Sequence, residues 1–296
     1  MIFFLLLTVQ AYTNVVLDNL NGRMIEKDSL VCVGLDPDPS KIPLEIMGLD
    51  LSLEERVYLF LTNVIDITAE HVCAYKLQKA FYDDFRDGHD LLVRVVKYIK
   101  SNHGGIAVFI DCKIGDTENT MSAYIHHLFE QVNADGIVVN PYMGDDVFLP
   151  FYSDAEKVAL VLVQTSNPSA KIVQELKLST GELLWEKMLQ LTLNRWNKNQ
   201  NLIPILSSNT EDYDYKSVRR AIPEGTPILL AGIGAQGGNL SVLRDLLNTS
   251  RAGVFINSSR GILYPYSVES DSWREKILQE TVKLKEQINA IRYETD

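Results

Sequence analysis

Three cysteines, Cys32, Cys73 and Cys112, are all that the 296 residues contain. They sit in or beside apolar runs and form no metal-type pair. The odd number argues against a disulfide framework and for reduced, buried thiols in a cytosolic protein. Positive charge is scarce as well, with a formal net charge of -11. That excludes a general nucleic-acid or anionic-membrane surface, although a local cluster of Lys and Arg can still hold a small anion. No stretch stays apolar for the about 20 residues that a bilayer span requires. The N-terminal run Ile2 to Val9 is far shorter. It lacks the basic start of a secretory signal, although Val9-Gln10-Ala11 has the form of a cleavage site. Residues 1–25 are therefore read as an N-terminal extension ahead of a domain over 26–296, and a cytoplasmic location is expected. No linker rich in Pro, Gly or Ser divides the chain, so one large domain is expected. The histidines, His71, His89, His103, His126 and His127, make no apparent ligand set. No metal and no cofactor are expected.

What is present is apolar and periodic. Hydrophobic residues make up 46% of the chain, enough for a sizeable core. Short apolar runs start near Leu30, Val72, Ile106, Gly136, Val158, Ile203, Pro227 and Gly253. Between most of them lie segments with apolar residues at helical spacing, such as Leu51 to Glu70 and Ser272 to Ile291. Strands alternating with helices over this length predict a (β/α)8 barrel, which takes about 250 residues. The competing architecture is a doubly wound sheet. It usually carries a glycine-rich turn after the first strand, where this chain has Asp36-Pro37-Asp38-Pro39.

The strand ends are polar almost throughout, and in a barrel the C-terminal ends are where chemistry sits. Asp36, Lys76, Gln78, Asp111, Lys113, Asp116, Asn140, Thr165, Ser166, Asn167, Gln236 and Arg260 fall there. After the seventh strand, Gly232 and Gly234 let backbone N–H groups approach an anion, and Arg260 at the next strand end offers a fork of donors. This points to a phosphate site. Asp111 and Lys113 are two apart, so on a strand they share a side. Two readings stay open for them: a strand-end ion pair, or catalytic groups. With Lys76 and Asp116 they can form an alternating network, which keeps the lysines protonated and the carboxylates ionised despite burial. A positioned ammonium can protonate a carbanion. The polar connection from Ser169 to about Thr180 is long enough to act as a lid.

Asp111-Cys-Lys113-Ile-Gly-Asp116 resembles the Asp-x-Lys-x-x-Asp signature of orotidine 5'-phosphate decarboxylases. Val31-Cys-Val-Gly-Leu-Asp36-Pro37 resembles that family's first strand, and Tyr75-Lys76-Leu-Gln78 with Phe81 its second. Thr165-Ser166-Asn167-Pro168, Gly232-Ile-Gly-Ala-Gln236 and Asn257-Ser-Ser-Arg260-Gly261 resemble its longer-loop branch. The likeness runs from about Leu30 to Tyr264. It implies cofactor-independent conversion of orotidine 5'-phosphate to UMP and CO2, with Lys113 donating a proton to C6. It further implies that Asp111 and Asp116 flank the departing carboxylate and that Lys76 completes the network. Asp36 and Lys76 would hold the ribose hydroxyls, with Gln78 near that end. Ser166 with Thr165 would read the pyrimidine edge. Gln236, Arg260 and the backbone near Gly234 would hold the phosphate. The likeness also implies a homodimer in which Asp116 and a nearby Thr reach the partner's site. Thr117 and Thr120 are the candidates, with Thr120 favoured. Ala231 departs from the pattern, standing where that branch usually has Pro. Two other functions remain open: a related sugar-phosphate lyase or aldolase, usually using Mg2+, and a non-catalytic nucleotide-binding barrel.

Overall fold

Each apolar run becomes a strand because its β-branched and aliphatic side chains can be buried on both faces, as parallel sheets covered by helices require. In the computed structural model, which describes residues 14–209, 213–233 and 238–294, the strands are β1 (Val31–Gly34), β2 (Ala74–Gln78), β3 (Ala107–Ile114), β4 (Gly136–Val139), β5 (Val158–Leu162), β6 (Leu202–Ser207), β7 (Ile228–Ala231) and β8 (Val254–Ser258). They pair in parallel in sequence order, and β8 returns to β1. This closure is the expected (β/α)8 barrel and rules out the open doubly wound sheet.

Helices cover the outside. Leu53–Thr68 starts where the Ser52 side chain accepts from Glu55 N–H, and it buries Val57, Phe60, Leu61, Val64 and Ile65. Gly88–Asn102 buries Leu91, Leu92, Val95, Val96 and Ile99 by the same periodicity. The last helix, Trp273–Arg292, seats Trp273 with its ring 5.7 Å from Phe60. Inside the barrel every second side chain points to the axis. The rings of Phe109 and Phe255 meet there at 5.6 Å. Burying each ring stabilises the fold by about 1.5–3 kcal/mol. Two residues on from Phe109, the same inward column carries Asp111. The alternation that builds the core therefore aims the charged groups into the mouth.

Three local features differ from expectation. Strand β3 does not stop at Ile110 but runs on to Ile114, because Gln78 pairs with Asp111 and Ile114 pairs with Val139 across a register shift. Within that irregular stretch Lys113 has φ +47°, a left-handed conformation that costs a non-glycine residue about 1–2 kcal/mol. Second, the N-terminal extension contains a helix, Val15–Glu26. The Asn14 side chain caps it, and Leu17, Leu20 and Met24 are buried. The Ile2 to Val9 run lies outside the described residues. Among the described residues no helix is long and apolar enough to cross a membrane. Third, the connection after β5 is built rather than irregular. It holds a short helix, Lys171–Gln174, and an antiparallel bridge between Lys177 and Leu183.

Candidate active site

Charge, burial and cavity coincide at the C-terminal ends of β2 and β3. A cavity of about 650 Å³ opens there, lined by Asp36, Lys76, Gln78, Asp111, Lys113, Ser166, Arg260 and others from nearly every strand end. Lys76 is 6% exposed and Asp111 7% exposed. The two oxygens of Asp111 divide the lysines between them. Oδ2 accepts from Lys76 Nζ at 2.8 Å and Oδ1 from Lys113 Nζ at 2.6 Å.

Such burial is tolerable only because opposite charges touch. Burial alone would push the Lys76 ammonium down, but the Asp111 and Asp36 carboxylates overcome it and its pKa is raised. Burial alone would push Asp111 up, but the ammonium groups of Lys76 and Lys113 overcome it and its pKa is lowered. Both groups are thus held in their charged forms. Lys113 differs from Lys76 in access, for its side chain is 46% exposed. It is anchored at one end to Asp111 and open to the cavity, the geometry of a proton donor. The chain leaves the site at Gly115, where an added Cβ would lie 2.2 Å from Asn140 O. Only glycine lets β3 pass so close to the end of β4.

Around this pair the structure distributes the other expected residues. Asp36 Oδ1 accepts from Gln78 N–H at 3.1 Å, tying β1 to β2. Thr165, Ser166 and Asn167 follow β5 and line the same cavity. Gly232 has φ +99°, and an added Cβ would come within 2.9 Å of both Asn209 Oδ1 and Ser166 Cβ, so the seventh turn requires glycine. Arg260 opens the helix after β8 and faces the cavity. Among the described residues its guanidinium has no hydrogen bond or ion pair, which leaves all its donors for an anion. Gly234 and Gln236 lie outside the described residues.

Asp116 does not join the network within its own chain. Its Oδ1 accepts from Thr117 N–H at 2.7 Å, and neither lysine touches it. Thr117 and Thr120 also lie apart from the cavity, on and before the helix Glu118–Ile125. The chain thus brings together three of the four expected network members.

Several further residues, not expected from the sequence, line the cavity. Lys41 and Asp38 form a 2.8 Å ion pair at the rim. Asp38 is drawn in by Tyr264, whose hydroxyl accepts from Asp38 N–H at 2.7 Å and donates to Asp36 O at 3.1 Å. Nothing local signals that contact, since 226 residues separate the partners. Gln164, only 2% exposed, also lines the cavity. It continues the inward column of Leu160 and Leu162, so strand parity could have found it. A second groove, of about 510 Å³, lies between the helix Val15–Glu26 and residues 102–106, at the opposite end of β3. It holds none of the candidate site residues read from the strand ends.

A family model described as Orotidine 5'-phosphate decarboxylase / HUMPS family matches residues 29–269. The orotidine 5'-phosphate decarboxylase of Dechloromonas aromatica is 36% identical over 249 residues, covering 84% of this chain and 89% of that protein. Among solved structures, Leishmania donovani OMP decarboxylase superposes with a TM-score of 0.76 at 30% identity, covering 95% of this chain and 99% of its own. Leishmania donovani UMP synthase gives a TM-score of 0.77 at 32% identity; 93% of this chain is covered, but it spans only 56% of that longer one. With a match over most of its length to that model and to proteins of that name, the chain belongs to the orotidine 5'-phosphate decarboxylase / HUMPS family.

Proposed function

We propose that the protein decarboxylates orotidine 5'-phosphate to UMP and CO2, a step of pyrimidine biosynthesis, without a cofactor. The observation that carries the reading is one cavity holding both the Lys76–Asp111–Lys113 network and the unpaired Arg260. A dianion held at Arg260 would anchor the substrate far from the reacting carbon. Such remote binding can be used to force the pyrimidine carboxylate towards Asp111. Repulsion between the two carboxylates is relieved when the C6–carboxylate bond breaks and CO2 leaves. The electron pair stays on C6. The Lys113 ammonium then gives its proton to C6 and is reprotonated from water. Asp36 and Lys76 hold the ribose, Gln78 lies near that end, and Ser166 meets the base. Gln236 and the backbone near Gly234 join Arg260 on the phosphate.

The active unit in this reading is a cytoplasmic homodimer, with Asp116 and Thr120 of each copy completing the partner's site. In support, Asp116 makes no ion pair with its own lysines. Tyr142 and Met143, on the turn beside the helix Glu118–Ile125, are exposed large apolar groups. Residues 26–296 form the catalytic domain and 1–25 an extension.

The test is an ultraviolet assay of orotidine 5'-phosphate turnover in chelator-treated protein. Loss of substrate absorbance with formation of UMP supports the reading. Activity only after Mg2+ is restored would favour a sugar-phosphate lyase or aldolase, and tight nucleotide binding without turnover a non-catalytic barrel. Arg260→Ala is expected to raise KM for the phosphorylated substrate by about 100-fold, the loss of a charge-assisted bidentate contact. An unchanged KM would remove Arg260 from the phosphate site.

A further inference from the structure

Gln174 sits on the short helix Lys171–Gln174, off the barrel, yet its side chain reaches back to the end of β5. Its Oε1 accepts from Thr165 N–H at 2.9 Å, and its Nε2 donates to the Thr165 hydroxyl at 2.7 Å. That hydroxyl donates in turn to Asn167 Oδ1 at 2.7 Å. Donor and acceptor roles agree along the chain. A backbone N–H can only donate, so the amide oxygen of Gln174 must face it and the amide nitrogen must face the hydroxyl. Thr165 therefore has its N–H and its hydroxyl both engaged within the chain.

The next residue is the opposite case. Ser166 lines the cavity, and among the described residues neither its N–H nor its hydroxyl has a hydrogen-bond partner. Its carbonyl is held, by Asn209 Nδ2 at 2.9 Å. The Gly232 turn packs against its Cβ. Ser166 is thus fixed on either side, and its N–H and hydroxyl are left without partners among the described residues, on a residue that lines the cavity. Ile172 and Val173 of the short helix are 74% and 51% exposed, so its apolar side chains do not anchor it.

We propose that Gln174 is a positioning residue for base recognition: by holding Thr165 through two hydrogen bonds, it presents the Ser166 N–H and hydroxyl to the pyrimidine. This rests on the reading that Ser166 meets the base. One of the two groups presented is main chain, which no side-chain substitution removes. Its aim is set by whatever holds the neighbouring residue.

The experiment titrates UMP and ribose 5-phosphate, which lacks the base, into the full chain and its variants. Gln174→Ala is expected to weaken UMP about tenfold, the cost of two neutral hydrogen bonds, and to leave ribose 5-phosphate unchanged. Gln174→Glu keeps an acceptor for Thr165 N–H and can take the Thr165 hydroxyl hydrogen in place of Asn167 Oδ1, so it restores most of the UMP affinity. In a Ser166→Ala background, Gln174→Ala costs a smaller factor than in the native chain, because the hydroxyl it aims is gone and only the N–H remains to be aimed. The inference is overturned if Gln174→Ala binds UMP normally while Ser166→Ala does not. It is also overturned if Gln174→Ala weakens ribose 5-phosphate equally, or if the two losses multiply in full. Normal UMP binding by Ser166→Ala refutes the reading of the Ser166 hydroxyl as a base contact, and with it the inference that Gln174 aims that group.

Discussion

Lys113→Ala should stop turnover while the protein still binds UMP. A positioned general acid contributes about 10²–10⁴-fold, so kcat is expected to fall by a factor in that range. The fold should tolerate the change. The Lys113 side chain is 46% exposed, and Asp111 keeps its bond to Lys76 at 2.8 Å. UMP affinity should move by less than about tenfold, because the lost group acts on the reacting carbon rather than on the phosphate. Steady-state kinetics and a UMP titration on the same preparation separate the two effects. A near-normal kcat would refute the proton-donor role, and loss of UMP binding would recast Lys113 as a ligand-holding group.

Asp111→Asn should be the more damaging change to the fold. It leaves the buried Lys76 ammonium with only the more distant Asp36 as counter-charge. Removing one partner of a buried pair costs about 3–5 kcal/mol. The pH dependence gives this loss a signature. In the native chain the pKa of Lys76 is raised, so its contribution is complete below the unfolded value of about 10.5 and is lost as pH rises through the folded one. The pKa of Asp111 is lowered, so its contribution is present above the unfolded value of about 4 and is lost as pH falls through the folded one. Between those limits the network adds a constant term. In Asp111→Asn, burial acts on Lys76 with less opposition and lowers its folded pKa. Once burial takes it below the unfolded value, the unfolded state binds more protons than the folded state, and stability rises with pH. Urea midpoints should show a gap from native protein that narrows from pH 7 towards pH 10. A gap that is absent, or that widens with pH, would contradict the buried-pair account.

The barrel could be read from the sequence because its signal is repeated: each apolar strand ends in polar groups and is followed by an apolar face at helical spacing. Ile106 to Ile110 illustrates both the reach and the limit of that signal. The run predicts a strand that ends where Asp111 introduces charge. In the folded chain the pairing of Ile114 with Val139 carries the strand four residues further. Tertiary pairing overrides local propensity there, and it does so where Lys113 adopts a strained backbone. The helix Val15–Glu26 escaped attention although Leu17, Leu20 and Met24 recur at helical spacing, because the apolar run before it drew the whole segment into one extension. Of the site, the Lys76–Asp111–Lys113 cluster followed from strand parity and order. Thr165 was grouped with Ser166 by adjacency. Only coordinates could reveal that Gln174 engages the first and leaves the second available. Lys41, Asp38 and Tyr264 were illegible for the same reason, since long-range contacts bring them to the rim.

The account stands or falls on the polarity of one cavity, with the proton donor at one end and the dianion at the other. A crystal structure of the chain with UMP measures this directly. The account predicts the phosphate on the Arg260 guanidinium and the Lys113 ammonium at about hydrogen-bond distance, roughly 3 Å, from C6 of the pyrimidine. A UMP molecule bound the other way round, or with C6 turned away from Lys113, would contradict it.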